Sequence, residues 1–189
     1  ITPNSSITIK NVGTNSTRTG FLRIAKMMGA NIDIHNKRME GYESVADINV
    51  KTSSLQSVQV EDNDLVSLSI DEFPAIFILA ANADGTSIFR GLKELRVKES
   101  DRISSMSKGL QKLGINTVEF EDGIQIEGGK PDGGDIECFG DHRVAMSFAV
   151  AGASAKNAIR VKNVESVDTS FPSFLNCVKK MGICINANK

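Results

Sequence analysis

The sequence predicts an α+β fold made of repeated units, and three observations carry that prediction. One shape, an alternating strand followed by a polar loop and an amphipathic helix, occurs three times. Each amphipathic helix runs into a glycine and then another β-like stretch. Between these units lie two short segments that are apolar almost all round, the pattern of helices buried on every side.

The first unit runs from Ser6 to Ile34, with Phe21, Ile24, Ala25 and Met28 on one helical face and Gly29 as its stop. The second runs from Ser87 to Phe120, with Ile103, Met106, Leu110 and Leu113 on one face and Gly114 as its stop. The third runs from Ala158 to Asn186, with Phe171, Phe174, Leu175, Val178 and Met181 aligned and Gly182 as its stop. The apolar segments, Asp71 to Ala83 and Asp141 to Ala155, each feed directly into the strand of the next unit. Further strands are expected near Asp47, Val58, Ile124 and Ile136, with Gly128-Gly129 and Gly133-Gly134 as turns. The whole chain, 1–189, is read as one domain, with repeats at about 1–70, 71–140 and 141–189. The first unit lacks its apolar helix, and the chain starts without Met, so it reads as a piece of a longer protein. Met27, Met28, Met106, Met146 and Met181 are assigned to the core, and His35 to the surface.

Bulk composition excludes several classes. Of 189 residues, 40% are hydrophobic and 24% charged, with a formal net charge of −1. That is globular composition without the basic excess of a nucleic-acid binder. No apolar run has the length of a membrane span. Cys138, Cys177 and Cys184 form no metal-binding spacing, and an odd count without a secretory signal predicts reduced thiols and a cytoplasmic setting. No metal or cofactor site is evident.

Function enters where the units differ. Leu92 to Gly114 is about four residues longer than Val12 to Gly29 or Val164 to Gly182. The surplus lies in "KELRVKES", inside the stretch "GLKELRVKESDRI", Gly91 to Ile103, which holds Lys93, Glu94, Arg96, Lys98, Glu99, Asp101 and Arg102. A core has no use for such a loop. Ser100 is a plausible N-cap that puts Asp101 and Arg102 in a first helical turn, and Asp141 caps a helix that opens with His142 and Arg143. Asp71 precedes the other apolar helix, with Pro74 in its first turn. Arginine is unfavourable at a helix N-terminus unless an anion meets it. Arg102 and Arg143 both break that rule, Lys98 adds a cation, and Asp71 and Glu99 offer carboxylates for proton transfer. If these ends converge, the site suits a small, multiply anionic substrate and acid–base chemistry.

At these residues the chain resembles the 5-enolpyruvylshikimate-3-phosphate synthase family. "RVKESDRI" (Arg96 to Ile103) and "DHRVAMSF" (Asp141 to Phe148) look like its two signatures. "DEFPA" (Asp71 to Ala75), "LKELRVKES" and "TSFPSF" (Thr169 to Phe174) look like its glyphosate-tolerant bacterial variety. The resemblance covers nearly all the chain, from about Ile7 onward. It implies βαβαββ repeats with buried parallel helices enclosed by sheets and amphipathic helices, the enolpyruvyl transferase type of domain. Family members are roughly twice this length and have two domains, so the chain looks like most of the C-terminal one. The motifs of the other domain, which hold shikimate 3-phosphate, have no counterpart here.

The resemblance implies transfer of the enolpyruvyl group of phosphoenolpyruvate to the 5-hydroxyl of shikimate 3-phosphate, releasing phosphate, with no cofactor. It implies that Asp71 contacts the shikimate hydroxyls as a base, that Glu99 handles the methylene proton, and that Lys98 lies near the target hydroxyl. Arg102 and Arg143 match the arginines on phosphoenolpyruvate, and His142 a residue lining the site. Two positions depart from the pattern: Glu94 is acidic where some members have Asn, and Thr169 stands where many have Lys. Alone, the chain supplies half of a site and is expected to be inactive without its N-terminal partner domain. Two alternatives stand beside this reading, the sister transferase acting on UDP-N-acetylglucosamine and a non-catalytic repeat module used for protein contacts. Convergence of Asp71, Glu99, Arg102 and Arg143 separates a catalyst from a module.

Overall fold

A computed structural model describes residues 1–187. The chain order is β1 (Ser6–Gly13), α1 (Gly20–Met27), β2 (Asn31–Glu40), β3 (Glu43–Lys51), β4 (Gln59–Val60), α2 (Asn63–Ser67) and α3 (Phe73–Ala81). It continues with β5 (Thr86–Phe89), α4 (Arg102–Lys112), β6 (Thr117–Phe120), β7 (Gly123–Glu127), β8 (Gly134–Glu137) and α5 (His142–Ala151). It ends with β9 (Ile159–Lys162), α6 (Glu165–Ser170) and α7 (Phe174–Lys180).

The strands form three small sheets, ordered β1-β3-β2, β4-β5-β7-β6 and β8-β9. β4 pairs parallel with β5, and β8 with β9. In both cases an apolar helix, α3 or α5, crosses from the first strand to the second, as a parallel pair requires. The hairpin pairs β2–β3 and β6–β7 are antiparallel. The α+β class is therefore observed, and so is the strand–helix–strands order in the first two units; in the third, α6 interrupts the loop and no strand follows α7 among the described residues.

The helix stops follow local chemistry. Gly29, Gly114 and Gly182 have φ of +86°, +78° and +86°, the left-handed region that a side chain disfavours. The predicted faces divide more finely. Ile103, Met106, Leu110 and Leu113 of the second unit are all fully buried. Ile24, Ala25 and Met28 are buried in the first, with Phe21 packed against them. In the third, Phe174 and Val178 are buried while Phe171 and Met181 stay about half exposed. Met27 is exposed too, so the core assignment of Met27 and Met181 is corrected: each sits beside a helix C-terminus, turned from the sheets. His35 lies inside β2 at a bulge, half-buried, with Nδ1 3.2 Å from Asp33.

α3 is the central element. Phe73, Ile76, Phe77, Ala80 and Ala81 are fully buried. The rings of Phe73, Phe77 and Phe89 meet with centroids 5.4–5.9 Å apart. Aromatic pairs at that distance contribute about 0.5–1.5 kcal/mol each beyond area burial. α5 is less enclosed than its composition predicts. Val144, Ala145, Phe148 and Ala151 are buried, but Met146, Ala149 and Val150 are only partly covered. An apolar groove of about 290 Å³ runs between α3 and α5, lined by Ile1, Phe21, Ile78, Leu79, Met146 and Val150.

One residue is strained. Phe139, between β8 and α5, has φ +54° and a half-exposed ring. The left-handed region costs an ordinary L-residue about 1–2 kcal/mol, and asparagine tolerates it better. Phe139→Asn is therefore expected to raise stability by about 1 kcal/mol, read as a higher urea midpoint at unchanged slope. A lower midpoint would show that the exposed ring contributes more than the strain costs.

Candidate active site

Three chain ends meet at one edge of the central helices. The first is the turn Ile70–Glu72 leading into α3. The second is the charged stretch entering α4, and the third is the N-terminus of α5. α4 packs against both α3 and α5, and those two pack against each other, so their starts are brought together by the core.

The charged stretch is not a free loop. Lys93–Val97 forms a 3-10 turn pinned by the buried Leu95. Ahead of it, Arg90 pairs with Asp122 at 2.8 Å, and the Leu92 N–H donates to the Asp122 carbonyl at 2.7 Å. Lys93 reaches Glu121 at 2.7 Å. The β6–β7 hairpin thus holds the base of the stretch, and Lys98 and Glu99 lie beyond it.

Arg102 is the hub. It opens α4 and is fully buried. Its Nε donates to Asp141 Oδ2 at 2.8 Å and one terminal nitrogen to Glu99 Oε2 at 2.6 Å. The other terminal nitrogen, Nη1, is buried with no hydrogen-bond partner among the described residues, 3.6 Å from Asp71 Oδ1. Asp71 also has Lys98 Nζ at 3.8 Å and Arg143 Nη2 at 3.5 Å. Three cations therefore surround one carboxylate, each within ion-pair range and none hydrogen-bonded to it. Arg143 is steadied by donating to the Asp71 backbone carbonyl at 3.0 Å. Lys98 also contacts Glu94, so the acidic residue at that position neutralises part of the lysine.

The structure brings together Asp71, Lys98, Glu99, Arg102 and Arg143. His142 opens α5, partly exposed, and among the described residues it joins none of these pairs. Thr169 lies in α6 and is exposed.

Two details of the helix ends differ from expectation. The N-cap of α4 is Asp101, whose carboxylate accepts from the Ser104 N–H at 3.0 Å. Ser100, expected to cap, donates instead to Asp141 at 3.2 Å. An acidic side chain accepts more strongly than a hydroxyl, which favours the shift by one residue. The anion expected to meet Arg102 is, in part, protein: Asp141 and Glu99 face it directly. The capping carboxylates also occupy N–H groups at the starts of α4 and α5, so the cationic side chains, not the backbone, are left to face a ligand.

Asp141 is the residue that sequence reasoning left out of the site. Its role as a helix cap was legible. Its second role was not, because Arg102 is distant in sequence. The carboxylate is fully buried and accepts from Arg102, from Ser100 and from the Arg143 and Val144 N–H groups at 2.9 and 3.3 Å. Burial pushes its pKa upward, but the Arg102 guanidinium and the capping N–H groups outweigh that and hold it below the ordinary aspartate value.

Among the described residues no group of His, Cys, Asp and Glu is arranged to hold a metal ion, and no helix is long and apolar enough to cross a membrane. The three cysteines are free, with Cys138 buried.

Comparison with known proteins gives the family of the chain. Residues 1–178 match the family model described as EPSP synthase (3-phosphoshikimate 1-carboxyvinyltransferase). The chain is 51% identical over 175 residues to 3-phosphoshikimate 1-carboxyvinyltransferase of Legionella pneumophila strain Corby, which covers 93% of this chain and 40% of that protein. The Coxiella burnetii strain CbuK_Q154 protein of the same name is 45% identical over 183 residues, covering 97% of this chain and 42% of its own length. The chain thus spans about 40% of the length of these curated relatives. Among solved structures, an EPSP synthase from Acinetobacter baumannii superimposes with a TM-score of 0.94 at 44% identity, over 98% of this chain and 44% of that one. The enolpyruvyl transferase NikO from Streptomyces tendae gives a TM-score of 0.73 at 18% identity, over 96% of this chain and 40% of that one, which speaks to fold alone.

Proposed function

This chain belongs to the EPSP synthase family, and from that premise we propose that it carries the acid–base half of a site that moves an enolpyruvyl group from phosphoenolpyruvate to the 5-hydroxyl of shikimate 3-phosphate. The observation that carries the reading is the set of three cations, Lys98, Arg102 and Arg143, around Asp71 at 3.5–3.8 Å. Arg102 supports it with a buried, unpartnered nitrogen facing the same point. A buried donor left unmade is costly, about 1–3 kcal/mol, and a ligand oxygen would satisfy it.

In this reading Arg102 and Arg143 hold the phosphate and carboxylate of phosphoenolpyruvate, and His142 lines the site beside them. Asp71 accepts the proton of the attacking hydroxyl, with Lys98 beside that hydroxyl. The hydroxyl oxygen bonds to C2 of phosphoenolpyruvate while Glu99 protonates C3, giving a tetrahedral intermediate. Loss of a C3 proton to Glu99 and of phosphate from C2 then forms the enolpyruvyl product. No cofactor enters the balance. Glu99 is about half exposed, and Asp71 and Arg143 are one-third exposed, so the cleft lies open on this side. The partner that closes it is the portion of the relatives' length that this chain does not match, and domain closure is how such sites exclude water. Three free thiols support a reducing, cytoplasmic setting. The family match favours this substrate pair over UDP-N-acetylglucosamine, and the convergence of charges favours a catalyst over a repeat module used for protein contacts.

The test is phosphate release from the two substrates by this chain alone, by a separately produced polypeptide covering the unmatched portion, and by the mixture. Activity is expected only in the mixture, and Glu99→Gln is expected to lower it by about 10²–10⁴-fold, the usual contribution of a positioned acid or base. An associated but inactive mixture would sink the proposal.

A further inference from the structure

We propose that Arg96 is a positioning residue for this site, bracing the stretch that carries Lys98 and Glu99 and setting the start of α4. The inference rests on the substrate reading above.

Lys98 and Glu99 sit between the 3-10 turn and α4, where neither helix nor sheet holds the backbone. Their side chains bond Glu94 and Arg102, and the side-chain bonds of Arg96 frame the backbone between. Its Nε donates to the Glu121 carbonyl at 2.8 Å, and Nη2 donates to the Phe120 carbonyl at 2.5 Å. The acceptors are the last residue of β6 and the first of the β6–β7 turn. Nη1 donates to Asp101 Oδ2 at 2.6 Å and also lies 3.7 Å from Glu119 of β6. A single planar fork therefore ties the hairpin to the far end of the stretch, with residues 97–100 spanned between.

Asp101 passes the constraint on. While one of its oxygens accepts from Arg96, the other caps α4 at the Ser104 N–H. The next residue is Arg102, the buried hub. Arg96 itself contacts none of Asp71, Arg102 or Arg143, so its action is indirect. The hairpin is a firm anchor because Arg90 and Gly91 bond the Asp122 carboxylate and Leu92 its backbone carbonyl. Lysine cannot replace this geometry: it is one point charge on a flexible stem, with no fixed fork to span two carbonyls and a carboxylate.

The test uses the 189-residue chain with phosphoenolpyruvate as probe, comparing wild type, Arg96→Met and Arg96→Lys. Three quantities are read: affinity, melting temperature, and backbone amide exchange in residues 97–102 against that in α3. In Arg96→Met, exchange is expected to rise at least about tenfold more in 97–102 than in α3, and affinity to fall roughly tenfold, the change one lost charge-assisted hydrogen bond produces. Arg96→Lys, which keeps a cation beside Asp101, is expected to recover most of the melting temperature but not the affinity. That split separates positioning from a general contribution to stability. Exchange rising equally in both segments overturns the proposal. So does a loosened stretch with unchanged affinity. A wild-type chain that binds no phosphoenolpyruvate either alone or mixed with the polypeptide covering the unmatched portion overturns the substrate reading instead, while the exchange contrast still decides whether Arg96 braces the stretch.

Discussion

Replacing Asp141 with alanine is expected to cost about 3–5 kcal/mol of stability, the loss typical when one member of a buried ion pair is removed and its partner stays behind. The partner here is Arg102, which is fully buried and keeps only Glu99 as a hydrogen-bonding counter-charge. The same substitution removes the N-cap of α5, usually about 1 kcal/mol. Asp141→Asn separates the two losses, since its amide oxygen can still cap the helix while the charge is gone. The pH dependence follows from the depressed pKa of Asp141. A carboxyl whose folded pKa lies below its unfolded value of about 3.9 stabilises the protein above that pH. The contribution is lost as pH falls through the folded pKa. Wild type and Asp141→Asn should therefore differ most near neutrality, and the difference should begin to shrink only as pH falls below about 4. Urea titrations at pH 7 and pH 3 would show it. A loss below about 1 kcal/mol for Asp141→Ala at pH 7 would place this pair with ordinary surface ion pairs.

Gly109→Ala is expected to destabilise by up to about 2 kcal/mol, although helix propensity alone favours alanine by about 1 kcal/mol. Gly109 lies on α4 where that helix meets α5, and a methyl group there would overlap the ring of Phe148. Phe148 is fully buried, so the ring has little room to yield. Overpacking of a rigid core typically costs about 1–3 kcal/mol, which outweighs the propensity gain. The pair Gly109→Ala with Phe148→Leu should recover part of the loss, because the obstructing ring atoms are removed. The same contact sets the distance between the helices that carry Arg102 and Asp141, so the single variant should also weaken their ion pair. Thermal unfolding of the two singles and the double, read as a cycle, measures the coupling. An unchanged or raised melting temperature for Gly109→Ala would mean the helices separate freely there.

Much of the architecture was legible because its causes are local. Helical periodicity located α1, α4 and α7, and the left-handed glycines located their ends. Uniformly apolar composition marked α3 as buried, since no local rule makes such a helix stable in water. The same reasoning overreached at α5, where Met146 and Val150 line a groove. Composition says that a face can be buried, and only neighbours decide that it is. Met27 and Met181 failed for a related reason: a position near a helix end turns away from the core within one residue.

The site divides along the same line. Sequence alone determined the charged residues, the cap at Asp141, and the grouping of Asp71, Glu99, Arg102 and Arg143 as one candidate constellation. These follow from short-range rules and from the motifs that carry the family resemblance. Tertiary structure decided that Asp141 faces Arg102, that three cations stand around Asp71, that Asp101 rather than Ser100 caps α4, and that Arg96 reaches the β6–β7 hairpin. Those contacts join residues 24–72 positions apart, or depend on which of two adjacent side chains has an acceptor within reach. Charge–charge geometry of that kind is set by how helices pack, and packing is a property of the whole core that no window of the sequence contains.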